Sequence, residues 1–148
     1  GTSCGNNACS TDRTQTLTQT CVGANSCQTS ATGTVCAAYK CVPASGQCGT
    51  SCGNDGDCQS GYYCNSSGAC VGKQSNGAQC NAASQCVSGF CADGFCCDSA
   101  CGSSCEACDV GGLLGRCTPI FGTPRASHPA CAGTGTCGHQ CRDLEQFT

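Results

Sequence analysis

The chain contains no methionine and no tryptophan, and only three tyrosines and four phenylalanines among 148 residues. Large aliphatic side chains are just as scarce: four Leu, one Ile and six Val. Ordering each backbone residue costs about 1–2 kcal/mol, so apolar side chains this few exclude a conventional hydrophobic core. Charge is sparse too. Charged residues make up 10% of the chain and the formal net charge is −3, so the high net charge typical of apolar-poor disordered chains is missing. Six dispersed Lys and Arg give no basic face for nucleic acid. No apolar run approaches the roughly 20 residues of a membrane-spanning helix. Neither an initiator Met nor a signal-peptide pattern opens the chain, which reads as a segment processed or cut from something longer.

What the chain has instead is cysteine, 23 residues of 148, well above the roughly 8–10% that marks a disulfide scaffold. Each disulfide removes about 2–4 kcal/mol of unfolded-state freedom in the chain-entropy model, so cross-links can hold a fold that burial cannot. Such links persist in oxidising compartments, which places the chain outside the cell or on its surface. The expected fold class is small and disulfide-rich: tandem Cys-stapled modules with short two-stranded hairpins, mostly irregular loops, and an elongated form. An odd cysteine count implies an intermolecular bond, a reactive thiol, or a partner lost by excision.

The cysteines repeat, and a repeat governs the architecture. Cys52-x5-Cys58-x5-Cys64-x5-Cys70 matches Cys80-x5-Cys86-x4-Cys91-x4-Cys96, with Ser60-Gly61-Tyr62 against Ser88-Gly89-Phe90 and Gly68-x-Cys70 against Gly94-x-Cys96. Cys21-x5-Cys27-x8-Cys36-x4-Cys41 reads as a divergent third copy. The expected organisation is an N-terminal Thr-rich extended segment (1–20), a divergent Cys module (21–47), two Cys repeat modules (48–71 and 72–97), a C-terminal Cys-dense module (98–141) and a tail (142–148). Thr14, Thr16, Thr18 and Thr20 alternate with other residues, as β-branched side chains do in strands, and mark a segment able to donate a strand to another chain.

From Cys80 to Cys137 the sequence resembles a cysteine-rich repeat of very large secreted proteins of myxobacteria and related proteobacteria. The residues that carry the likeness are Gly77-x2-Cys80-x5-Cys86-x-Ser88-Gly89-Phe90-Cys91-x-Asp93-Gly94-x-Cys96-Cys97-x3-Cys101-x3-Cys105-x2-Cys108-Asp109, continuing through Gly115-x-Cys117 and Gly122-x-Pro124 to Pro129-x-Cys131. Cys52 to Cys70 is a shorter relative. The resemblance implies a bacterial stalk, matrix or surface module in an exported protein, with no established activity.

Spacing alone leaves disulfide connectivity open. The four-cysteine modules suggest first-to-third and second-to-fourth pairing: Cys52 with Cys64, Cys58 with Cys70, Cys80 with Cys91, and Cys86 with Cys96. Adjacent Cys96 and Cys97 should point opposite ways and tie one module to the next. Cys105-Glu106-Ala107-Cys108 is a C-x-x-C, but its redox chemistry needs a βαβ setting that this chain lacks. Cys131, Cys137, His139 and Cys141 could complete a zinc set, although disulfide formation competes for the same sulfurs. Asp55 and Asp57 hint at calcium, but the twelve-residue loop pattern fails at Ser60 and Ser66. No cofactor and no metal is expected, and no catalytic set assembles from two His and scattered Ser.

Tyr62, Tyr63, Phe90 and Phe95 either cover disulfides or form an exposed contact row. Asn65-Ser66-Ser67 is a glycosylation sequon. The expected role is non-enzymatic: a structural or adhesive segment of a filament, matrix or stalk, with copies of itself or other surface proteins as partners. The alternative is a secreted binding module or small inhibitor presenting a braced loop such as Thr118 to Ala130, stiffened by Pro119, Pro124 and Pro129.

Overall fold

A computed structural model describes residues 4–23, 25–130 and 141. Cys131, Cys137, His139 and the 142–148 tail lie outside the described residues. The chain divides into two compact units, residues 1–72 and 73–148, and each is treated by itself.

The first unit begins with five short strands: β1 (Ala8–Cys9), β2 (Gln15–Leu17), β3 (Gln19–Gly23), β4 (Ser26–Thr29) and β5 (Thr34–Val35). β2 lies between β1 and β5, antiparallel to both, with Cys9 opposite Thr16 and Gln15 opposite Val35. β3 and β4 form a hairpin with Cys21 opposite Cys27. The turn into β2 is organised by Asp12, whose Oδ1 accepts from the Ser10 hydroxyl at 2.6 Å, the Thr14 amide at 3.1 Å and the Thr14 hydroxyl at 2.8 Å. These donors, Ser10 first, hold the Asp12 carboxyl at about 2.

The Thr-rich segment is extended as expected, but it is used inside the chain. Thr16 and Thr20 lie in β2 and β3, and the Thr14 and Thr18 carbonyls accept the Cys36 and Ser30 amides. β2, which carries Thr16, has both edges taken by β1 and β5, whereas β3, which carries Thr20, pairs on one side with β4. Disulfides Cys4–Cys27 and Cys9–Cys41 also cross the expected boundary at residue 20.

The rest of the unit holds two hairpins, β6 (Cys41–Val42) with β7 (Gln47–Cys48), and β8 (Tyr62–Cys64) with β9 (Cys70–Gly72). A single 3-10 turn, Asp55–Asp57, precedes β8. The second unit repeats that arrangement with the 3-10 turn Ala83–Gln85, then β10 (Cys91–Ala92) paired with β11 (Phe95–Cys96). It closes with β12 (Glu106–Ala107) paired with β13 (Thr118–Pro119).

Among the described residues every buried hydrophobic side chain is a cysteine except Ala92 and Ala107. The core is therefore sulfur. Cys80, Cys86 and Cys96 form one cluster with Cys91 against it; Ala92, Cys97, Cys101 and Cys108 form another with Cys117 against it. The neighbours Cys96 and Cys97 send one side chain into each cluster, bonded to Cys86 and to Cys108.

Candidate functional site

The structure joins Cys52 to Cys64, Cys58 to Cys70, Cys80 to Cys91 and Cys86 to Cys96. Both repeats thus have first-to-third and second-to-fourth links. In each, the last two cysteines face each other across a hairpin, Cys64 opposite Cys70 and Cys91 opposite Cys96, and each bonds outward instead of to its neighbour. Two disulfides are thereby laid side by side, with the sulfurs of Cys52, Cys58 and Cys70, and those of Cys80, Cys86 and Cys96, within 4.8 Å of one another. Sulfur held in disulfides offers no thiolate to a metal.

The likeness of the repeats reaches their hydrogen bonds. Asp57 Oδ2 accepts the Gly53 and Asn54 amides, and Gln85 Oε1 accepts the Asn81 and Ala82 amides, one turn-capping scheme at positions 28 residues apart. The Gly53 amide, then that of Asn54, holds the Asp57 carboxyl below its usual range. Asp55 Oδ1 accepts the Cys64 amide at 2.7 Å. Asp55 and Asp57 therefore serve as backbone caps, which accounts for them without calcium. The Cys52 amide reaches the Gly68 carbonyl and the Cys80 amide reaches that of Gly94, both at 2.9 Å.

The same crossed pattern occurs twice more. Cys9–Cys41 with Cys36–Cys48, and Cys97–Cys108 with Cys101–Cys117, are also first-to-third and second-to-fourth quartets. The third copy read from Cys21, Cys27, Cys36 and Cys41 is thus recast: only Cys36 and Cys41 belong to it, and Cys27 is taken by Cys4. The shared signal is Gly-x-Cys at the closing cysteine, present as Gly46-x-Cys48, Gly68-x-Cys70, Gly94-x-Cys96 and Gly115-x-Cys117. All four glycines have positive φ, from 63° to 82°, a region open to glycine at little cost. Of the C-x-x-C, Cys108 pairs with Cys97 and Cys105 with Cys141, which takes Cys141 out of the zinc set.

Tyr62 and Phe90, both just after a positive-φ glycine, are 37% and 40% exposed, whereas Tyr63 and Phe95 are half-buried. Each repeat thus has one half-buried aromatic and one more exposed one. Asn65 Oδ1 accepts the Ser67 and Ala69 amides and shapes the β8–β9 turn.

A polar cluster in the second unit was not foreseen. Asp93, at the β10–β11 turn with φ 52°, accepts the Cys108 amide on Oδ2 at 2.8 Å and the Ser127 hydroxyl on Oδ1 at 2.8 Å. His128 Nε2 lies 2.9 Å from the same Oδ1, with both side chains 4% exposed or less. His128 Nδ1 lies 2.7 Å from the Ser103 carbonyl. Burial raises the Asp93 carboxyl, but the Cys108 amide, Ser127 and His128 together outweigh it and leave the group below its ordinary value. Ser127 donates to the carboxylate and not to the imidazole, so these three residues do not form a nucleophile–base relay.

The cluster fastens the loop that follows β13. Further fastenings are the Arg125–Asp109 ion pair at 2.8 Å, Ser104 Oγ to the Ala130 carbonyl, the Ile120 amide to the Cys105 carbonyl, and the Gly122–Cys141 bridge. Phe121, between the last two, is 66% exposed.

Comparison of the chain with family models, with characterised proteins and with solved structures finds no match.

Proposed function

We propose that the chain is a non-enzymatic structural or adhesive segment of an extracellular assembly. The observation that carries this reading is the crossed-disulfide quartet built four times along one chain, two in each unit. Ten described disulfides call for an oxidising compartment, and no helix among the described residues is long and apolar enough to cross a membrane. Cross-linked modules with small polar surfaces withstand proteolysis and serve as spacers. The resemblance of Cys80 to Cys137 to repeats of large secreted bacterial proteins supports the same role. Tyr62 and Phe90 supply one exposed ring per repeat for contact with copies of the chain or other surface proteins.

Electron microscopy and light scattering of the native protein, with non-reducing gels, test the proposal. Self-association into filaments or disulfide-linked species is expected; a monodisperse monomer at all concentrations contradicts it. A second reading, a secreted binding module or inhibitor, is favoured by the fastened 118–130 loop with Phe121 outward. Tight blockade of a protease, lost on Phe121→Ala, would select that reading.

A further inference from the structure

Two of the contacts that attach the 118–130 loop, both made by His128, depend on one proton. The Ser103 carbonyl only accepts, so His128 Nδ1 must carry hydrogen to bond it. Asp93 Oδ1 is a carboxylate oxygen already accepting from Ser127, so Nε2 must carry hydrogen as well. A neutral imidazole has one N–H and leaves one of these acceptors facing a lone pair in a buried site.

We propose that Asp93 and His128 form a proton-dependent latch that holds the loop against the β10–β11 hairpin while the imidazole is doubly protonated and loosens it when that proton is lost. Among the described residues, charged groups on the surrounding elements are Asp98, Glu106, Asp109, Arg116 and Arg125. Asp109 is paired with Arg125, and Asp98 accepts the Cys117 amide. The charged imidazole is the form that satisfies both acceptors, so the latch is closed at mildly acidic pH and weakens as pH rises. Opening would free the segment carrying Phe121 while leaving every disulfide in place.

The test is hydrogen exchange on the intact, oxidised chain at about pH 5.5 and about pH 8.5, with rates corrected for intrinsic exchange. The Ile120 and His128 amides, bonded to the Cys105 and Arg125 carbonyls, should lose protection by about tenfold at the higher pH. The Cys80 and Cys96 amides of the repeat should keep theirs. His128→Gln, which donates on one side only, should flatten the difference. Equal protection at both pH values, or a difference that survives in His128→Gln, overturns the proposal. Nitrogen-15 spectra of the His128 ring need no variant. Two protonated ring nitrogens at the lower pH are expected, and one bare nitrogen there refutes the latch.

Discussion

Gly46, Gly68, Gly94 and Gly115 stand two residues before the closing cysteine of their quartets and share a left-handed backbone, but they are not equally constrained. Gly94 has nothing within 4 Å of where a Cβ would sit, whereas a Cβ on Gly115 would run into the Gly77 amide nitrogen. Gly77 and Gly115 are thus backbone-to-backbone contacts, and Gly115 is buried. Gly94→Ala should cost about 1–2 kcal/mol for the left-handed conformation alone. Gly115→Ala adds a clash with backbone and should cost more, about 3 kcal/mol in total. Denaturant midpoints of the two variants check this, and equal losses would contradict it. Three carboxylates give a second expectation at this scale. Asp12, Asp57 and Asp93 all lie below their ordinary values, so their contribution to stability is complete above the unfolded value of about 4 and is lost as pH falls through the lowered ones. For Asp12 that loss centres at about 2. Acid titration of stability should show a decline below about pH 4 that is smaller in Asp12→Asn.

At the scale of the element, the unit of construction is a hairpin whose facing cysteines bond outward. A direct bond between neighbours would close only the hairpin's own short loop, whereas outward bonds fasten the incoming chain. Removing Cys58 and Cys70 together as Ala should cost about 2–4 kcal/mol. It should also expose the β8–β9 hairpin and the Tyr39–Cys58 bridge to exchange, while the second unit keeps its protection. Loss of protection across both units would show that the quartets are not independently closed. Much of this element was legible. The spacing of Cys52 to Cys70 and Cys80 to Cys96, with Gly-x-Cys, marks the hairpin, because a glycine two residues before a cysteine supplies the turn that brings the strands back. The quartet of Cys9, Cys36, Cys41 and Cys48 was not legible from spacing, since 26 residues carrying β2 to β5 separate its first two cysteines; Gly46-x-Cys48 was the available signal. The Asp93–His128 contact was hidden for another reason. Its partners are 35 residues apart, and nothing local in Asp93-Gly94 or His128-Pro129 points from one to the other.

For the whole molecule, cross-linking replaces burial. With Ala92 and Ala107 as the only buried hydrophobic side chains besides cysteine among the described residues, nothing apolar of any size remains to hold the chain once its bridges open. Full reduction should therefore unfold both units without leaving a compact, dye-binding intermediate. A reduced chain that kept native hairpin protection would require a source of stability absent from this structure. The Arg125–Asp109 pair, partly exposed, should contribute little. The most direct measurement is disulfide mapping by non-reducing mass spectrometry of the native, proteolysed chain. The account predicts four crossed quartets, among them Cys9–Cys41 with Cys36–Cys48 and Cys97–Cys108 with Cys101–Cys117. Bonds between sequential neighbours such as Cys52 and Cys58, or alkylation of most cysteines under native conditions, would contradict it.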